Sequence, residues 1–344
     1  MAADPSVTVS VCVMSGNISV RGWDKNEVMV RSSDAAQLEL RRKDVSSQAQ
    51  ATKLEVFVAD NDVPKVKENC QAFSDLELSV PRNAAVHAQT RDGNISIAGV
   101  GMAFAGTQNG DISVEKISRA IEVGSVGGSI CVKDSTGRAS VTTIGGGIDV
   151  ANLRPTNAAD VFEVISVSGD LMLEGIGHSL FNARTVTGNV QLSGPLARGG
   201  RYAFKTMSGD VTLALPTDAS FTLAAKVSRD GEIITDFPLL LVPDQSPKAA
   251  VVMPAPAPAQ DPAPRVKPPP QPDPPSQVSV VAPVSNAPKT ATVVRVHPGI
   301  KKVIEVGPVV SAYSMHRLNA VCGTGDATIN VASFSGTLRL QKTN

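Results

Sequence analysis

The phrase VTGNVQL at residues 186–192 returns along the whole chain: MSGNISV (14–20), VSGDLML (167–173), MSGDVTL (207–213) and FSGTLRL (334–340). Aligned on its glycine, the pattern recurs at Gly16, Gly93, Gly110, Gly128, Gly146, Gly169, Gly188, Gly209, Gly231 and Gly336. From Gly93 to Gly231 the spacings are 17, 18, 18, 23, 19, 21 and 22 residues. Units this short cannot bury an apolar face alone, so a fixed period of this size points to rungs that stack on one another.

Each copy carries apolar residues seven, five and two places before the glycine and two and four places after it, as in Phe162, Val164, Val167, Leu171 and Leu173. Near-alternation on both sides of the glycine predicts two short strands per copy, each burying one face. Three places before the glycine stands a hydroxyl residue (Thr90, Thr107, Ser125, Thr143, Ser166, Thr185, Thr206, Ser228 or Ser333), and directly after it often Asn or Asp. Gly beside Asn/Asp is turn composition, and stacked Ser/Thr hydroxyls are expected to satisfy backbone groups at each corner. The Gly231 copy is degraded, with Ala224, Lys226 and Arg229 in the apolar slots, and an extra residue in KVSRDGEI is expected to shift its register.

The fold class that follows is all-β: a parallel β-solenoid of about ten short rungs. Residues 1–242 form the solenoid, with an N-terminal β cap at about 21–90 built from the longer strands EVMVRSS, QLELRRK, KLEVFVAD and DLELSVP. Residues 243–288 hold fifteen of the 24 prolines, so 243–289 reads as a disordered, polyproline-like insertion. Residues 290–344 are expected to complete the solenoid and close its C-terminal end. Both ends need covers, because a bare last strand invites further pairing.

The phrases GNISVRGWDKNEVMV, SGDL, SGDV, TGNV, LALPTDASFTLAAK and FSGTLRL together resemble the bacterial putative-adhesin family, a domain of unknown function with β-strand repeats. The resemblance covers most of residues 7–240 and about the last twenty. It implies an exported or envelope-associated β-solenoid, with no agreed catalytic residues to carry over. The proline-rich insertion before the final rung departs from that pattern.

Charge and composition exclude several classes. Lys+Arg and Asp+Glu both number 32, and aromatics are 3%, so there is no global field for nucleic acid and few stacking platforms. Arg41–Lys43 reads as a solvated strand end. No run approaches the ~18 apolar residues of a membrane helix. The N-terminus lacks the regions of a signal peptide, so either the protein is cytoplasmic or the chain is a mature or trimmed form; the resemblance implies an extracytoplasmic protein (periplasm, outer envelope or cell surface) with its signal absent from this chain. A cytoplasmic protein is the alternative.

Candidate chemistry is sparse. Cys12, Cys70, Cys131 and Cys322 form no CxxC, and a Cys12–Cys70 disulfide is open if the protein is exported. His87, His178, His297 and His316 lack partners at metal-ligand spacing, and His178 in GIGHSL reads as a solvent-facing loop residue. Asp111, Asp170, Asp210 and Asp326 read as turn residues rather than calcium ligands, since asparagine takes their place in other rungs. GGGID at 145–149 belongs to the repeat and opens no helix. No catalytic, cofactor-binding or metal residue is assigned, and no cofactor is expected. The function expected is a non-enzymatic binding scaffold whose partner is a surface protein or glycan, with self-association through the solenoid ends open. A polysaccharide-acting β-helix enzyme and an intracellular self-assembling scaffold are the alternatives.

Overall fold

The computed structural model describes residues 1–32, 37–44, 50–59, 70, 72–228, 231–242 and 316–343. The proline-rich stretch at 243–289 lies outside them. Among the described residues every regular element is a β-strand. They form one fourteen-stranded and one twelve-stranded sheet.

Each copy of the phrase is one rung. The strand before the corner glycine joins the larger sheet, and the strand after it joins the smaller. In the Gly169 rung these strands are Val161–Ser168 and Leu171–Glu174. They pair in parallel with Leu180–Thr187 and Val190–Ser193 of the Gly188 rung. Removing three antiparallel strands from the fourteen, and one from the twelve, leaves eleven parallel strands in each sheet, hence eleven rungs. At ~4.8 Å per rung the ten steps span roughly 48 Å.

The corner glycines form a column. A Cβ on Gly188 would lie 2.2 Å from the carbonyl oxygen of Gly169, and one on Gly209 would lie 2.1 Å from that of Gly188. Seven of the ten, Gly16, Gly93, Gly110, Gly169, Gly188, Gly209 and Gly336, have φ between 134° and 155°. The rungs approach so closely here that only a residue without a side chain fits.

The core lies between the sheets. From the larger sheet the seventh and fifth residues before every corner glycine but Gly231 point inward, as Phe162 and Val164 do, and from the smaller sheet the second and fourth after it, as Leu171 and Leu173 do. An aromatic stack fills the wider middle: Phe162 and Phe181 have ring centroids 5.2 Å apart, and Phe181 and Phe204 5.4 Å.

The slot two places before the glycine departs from expectation. Val126, Ile144, Val167, Val186, Met207 and Phe334 are between 43% and 64% exposed, and the hydroxyl residue three places before takes the inward position. Strand geometry explains this: positions seven, five and three share one face, and position two belongs to the other. The buried hydroxyls donate to the glycine carbonyl of the preceding rung, Thr90 to Gly16 at 3.2 Å, Thr107 to Gly93, Ser125 to Gly110 and Thr143 to Gly128 at 3.1 Å. Those of Thr185, Thr206 and Ser333 continue the column without a partner.

Both ends depart from sequence order. The N-terminal strand Ala3–Ser15 lies between Ala51–Ala59 and Ala85–Asp92. The final copy, Ala327–Ser335, lies between Arg201–Ser208 and Phe221–Val227. The last phrase therefore does not end the stack. The degraded Gly231 copy lies outside it, where one of its faces needs no rung. Its pairing of Leu223 with Ile329 and of Ile233 with Leu338 shows the extra residue taken up at the corner. Of the expected N-terminal cap, only Met29–Ser32 and Gln37–Arg42 are antiparallel covers, while Ala51–Ala59 and Leu76–Pro81 make a full parallel rung. At the far end His316–Cys322 runs antiparallel to Phe221–Val227. The strand Ala3–Ser15 and the segment 338–340 are each paired on both sides.

Candidate functional site

The outward face of the larger sheet carries the groupings richest in chemistry. Six places before successive glycines, His87, Phe104, Glu122, Ser140, Glu163 and Asn182 stand side by side. Over the middle of this row lies a groove of about 630 Å³, whose lining includes Phe104, Glu122, Arg138, Asn157, Asp160 and Glu163. The connection at residues 155–160 between two rungs supplies one wall, through Asn157, Ala159 and Asp160. Of the row, the sequence singled out only His87; the sixth position before each glycine also gives Phe104, Glu122 and Glu163, but not Arg138, Asn157 or Asp160.

The groove's three carboxylates are in different states. Asp160 is a structural staple: its Oδ2 accepts bonds from the Thr156 amide and hydroxyl, both at 2.7 Å, and from the Asn157 amide at 3.1 Å. Its Oδ1 accepts one from Asn157 Nδ2 at 2.8 Å. Burial alone would raise the Asp160 pKa, but the bonds from Thr156 and Asn157 outweigh it and hold the carboxyl below its ordinary value. Glu163 accepts a bond from Asn182 Nδ2 at 3.0 Å. Glu122 is exposed and stands two rungs from Glu163 on one side and two from His87 on the other, with Phe104 between it and His87; the His87 imidazole stacks on Phe104 with centroids 4.3 Å apart. Burial lowers the His87 pKa, and the charge of Glu122 offsets part of that.

Two rungs separate the backbones of Glu122 and Glu163 by about 10 Å. The arrangement suits binding: an aromatic ring, a carboxylate and the Arg138 guanidinium around an open groove offer apolar contact and hydrogen bonds of both polarities.

The aspartates weighed as calcium ligands are parts of a ladder. Asp111 Oδ1 accepts the amide of Ser129 at 2.8 Å, Asp170 that of Asn189 at 2.7 Å and Asp210 that of Thr337 at 2.7 Å. Asn17 and Asn189 do the same for Asn94 and Asp210. Only an acceptor oxygen is needed, which is why asparagine and aspartate alternate along the column. Asp326 accepts the Thr324 hydroxyl instead. Among the described residues, no three His, Cys, Asp or Glu side chains are grouped to hold a metal ion.

His178 is corrected outright. It is fully buried at the return corner opposite the glycine column, with Nε2 2.8 Å from the Gly137 carbonyl and its ring 5.8 Å from that of Phe162. Burial pushes its pKa down against the pull of the Gly137 carbonyl. GIGHSL reads as a loop because of its glycines, yet the rung folds the imidazole inward onto the Gly137 carbonyl. His297 lies outside the described residues, as does the side chain of His316. Arg41 and Lys43 are spent locally, on Glu39 at 2.9 Å and Glu55 at 2.6 Å. Cys12 and Cys70 form a disulfide, while Cys131 and Cys322 are free thiols. No helix among the described residues is long and apolar enough to cross a membrane.

Residues 6–241, more than half of the chain, match the family model described as Toastrack DUF4097. No curated protein matches the chain. A solved structure of a putative cell adhesion protein from Clostridium sporogenes aligns over 99% of this chain and 94% of its own, at 8% identity and a TM-score of 0.19, too low to support an argument.

Proposed function

We propose that this chain, which belongs to the Toastrack DUF4097 family, is a non-enzymatic scaffold of the cell envelope or surface that binds a surface protein or glycan through the outward face of its larger sheet. The Cys12–Cys70 disulfide carries the extracytoplasmic part of this reading. Such bonds persist in oxidising compartments and are rare where thiols are kept reduced. The groove supports the binding part, because two of its three carboxylates, Asp160 and Glu163, already accept hydrogen bonds from neighbouring side chains, and the third, Glu122, stands two rungs from Glu163.

Fractionation of cells producing the chain, with proteins run on non-reducing gels after thiol capture, tests the location. The expected result is recovery outside the cytoplasm with Cys12 and Cys70 joined. Recovery in the cytosol with both thiols free overturns it. Incubation with a panel of bacterial polysaccharides and a reducing-end assay tests the enzymatic alternative. No release is expected, and release abolished by Glu122→Gln would establish that alternative instead.

A further inference from the structure

The exposed slot two places before the glycine forms a continuous feature. In six successive rungs it holds Val126, Ile144, Val167, Val186, Met207 and Phe334, and backbone pairing keeps these residues in line. Single exposed apolar side chains are ordinary, whereas a contiguous row is the mark of an interface. With rungs ~4.8 Å apart the ridge runs about 24 Å. The next residue in each rung is Gly127, Gly145, Ser168, Thr187, Ser208 or Ser335, so small uncharged residues directly follow the ridge in sequence.

We propose that the ridge is the contact of a homodimer in which two copies lie side by side and antiparallel. Three observations select a second copy. Its ridge has the same rise per rung, so side chains stay in step along the whole contact. A two-fold axis between the Val167 and Val186 rungs sets Val126 against Phe334, Ile144 against Met207 and Val167 against Val186. The two largest residues then meet smaller ones and the gap keeps an even width, whereas a parallel pair would place Phe334 on Phe334 and splay apart. The same axis sets Arg184 against Ile165 and Lys205 against Thr142 on one flank, and Asp170 against Asn189 and Asp210 against Gly147 on the other, so no like charges meet. Six half-exposed side chains on each copy cover on the order of 1,000 Å² in total, the lower bound for a specific interface, so the dimer is a weak one.

Sedimentation velocity of the full chain from low micromolar to submillimolar concentration tests this. A reversible dimer is expected, with Met207→Asp and Val186→Asp each weakening association about tenfold or more while circular dichroism and the melting temperature stay as in wild type. Orientation is tested with Cys131 and Cys322 replaced by alanine. A mixture of Ile144→Cys and Met207→Cys chains should form the mixed disulfide far more readily than either chain links to itself. A chain that is monomeric throughout, a dimer indifferent to Met207→Asp, or Met207→Cys linking best to itself would each overturn the proposal. Binding to phosphatidylcholine vesicles that Met207→Asp abolishes, with no dimer in solution, would also overturn it and make the ridge a lipid contact.

Discussion

Gly188→Ala should be among the most damaging single-methyl additions in this chain. The new Cβ would lie 2.2 Å from the Gly169 oxygen, 2.7 Å from its carbon and 3.3 Å from the Asp170 nitrogen. All three are backbone atoms, so the rungs themselves must separate by about 1 Å to reach ordinary contact. That movement strains the bonds from the Gly169 amide to Thr187 O (3.0 Å), from the Leu171 amide to Asn189 O (2.8 Å) and from the Asn189 amide to Asp170 Oδ1 (2.7 Å). At ~1 kcal/mol each, with about 1–2 kcal/mol for an alanine held at a φ that glycine tolerates, the loss is roughly 3–5 kcal/mol. This corresponds to a fall in melting temperature on the order of 10 °C. The control is Gly106→Ala: Gly106 faces outward, its Cβ would meet nothing within 4 Å and its φ is ordinary. That change should be neutral or stabilise by up to about 1 kcal/mol through the unfolded chain. Urea titration and thermal melts followed by circular dichroism read both. A Gly188→Ala chain within about 1 kcal/mol of wild type, or a Gly106→Ala chain equally damaged, would refute the close-packed glycine column.

The other predictions concern the hydroxyl column, the buried imidazole and the disulfide. Thr143 donates to Gly128 O at 3.1 Å and accepts from the Gly146 amide at 3.2 Å, so Thr143→Val should cost about 2 kcal/mol. Thr206, whose buried hydroxyl has no partner, should tolerate Thr206→Val with no loss or a small gain. Urea midpoints that shift equally for the two would contradict the column. His178 is held below its ordinary 6.5 by burial, so on acidification the unfolded chain takes up its proton first. Its contribution to stability is intact above pH ~6.5 and declines as pH falls towards the lower folded value, a slope that His178→Phe should flatten in melts run across that range. Cys12→Ala with Cys70→Ala opens a 58-residue closure and should cost about 4 kcal/mol, whereas reductant should leave the double variant's melting point unmoved.

The rung architecture was legible because independent features coincide at most copies: apolar alternation, a corner glycine and, in six of the ten, Asn or Asp after it. Position two before the glycine was misread because its residues are apolar, and apolar residues were taken to be inside. Parity held the better information, since Ser166 shares the face of Phe162 and Val164 while Val167 does not. The stack order at both ends was not legible. Nothing local to Val9 says that its neighbours are Leu54 and Val86; such parallel pairings close over long stretches of chain. The groove escaped notice for a related reason. Glu122 and Glu163 are 41 residues apart in sequence and only two rungs apart in space.

The stacked coil is tested most directly by distances between spin labels along one outward row of the smaller sheet, where Ser19, Met172 and Arg339 occupy equivalent places in their rungs. With Cys131 and Cys322 replaced, electron double resonance should give about 24 Å from Ser19 to Met172, five rungs away, and about 38 Å from Ser19 to Arg339, eight rungs away. Equal steps per rung across 320 residues of sequence are what the coil requires. A Ser19 to Arg339 distance no longer than that to Met172 would contradict it.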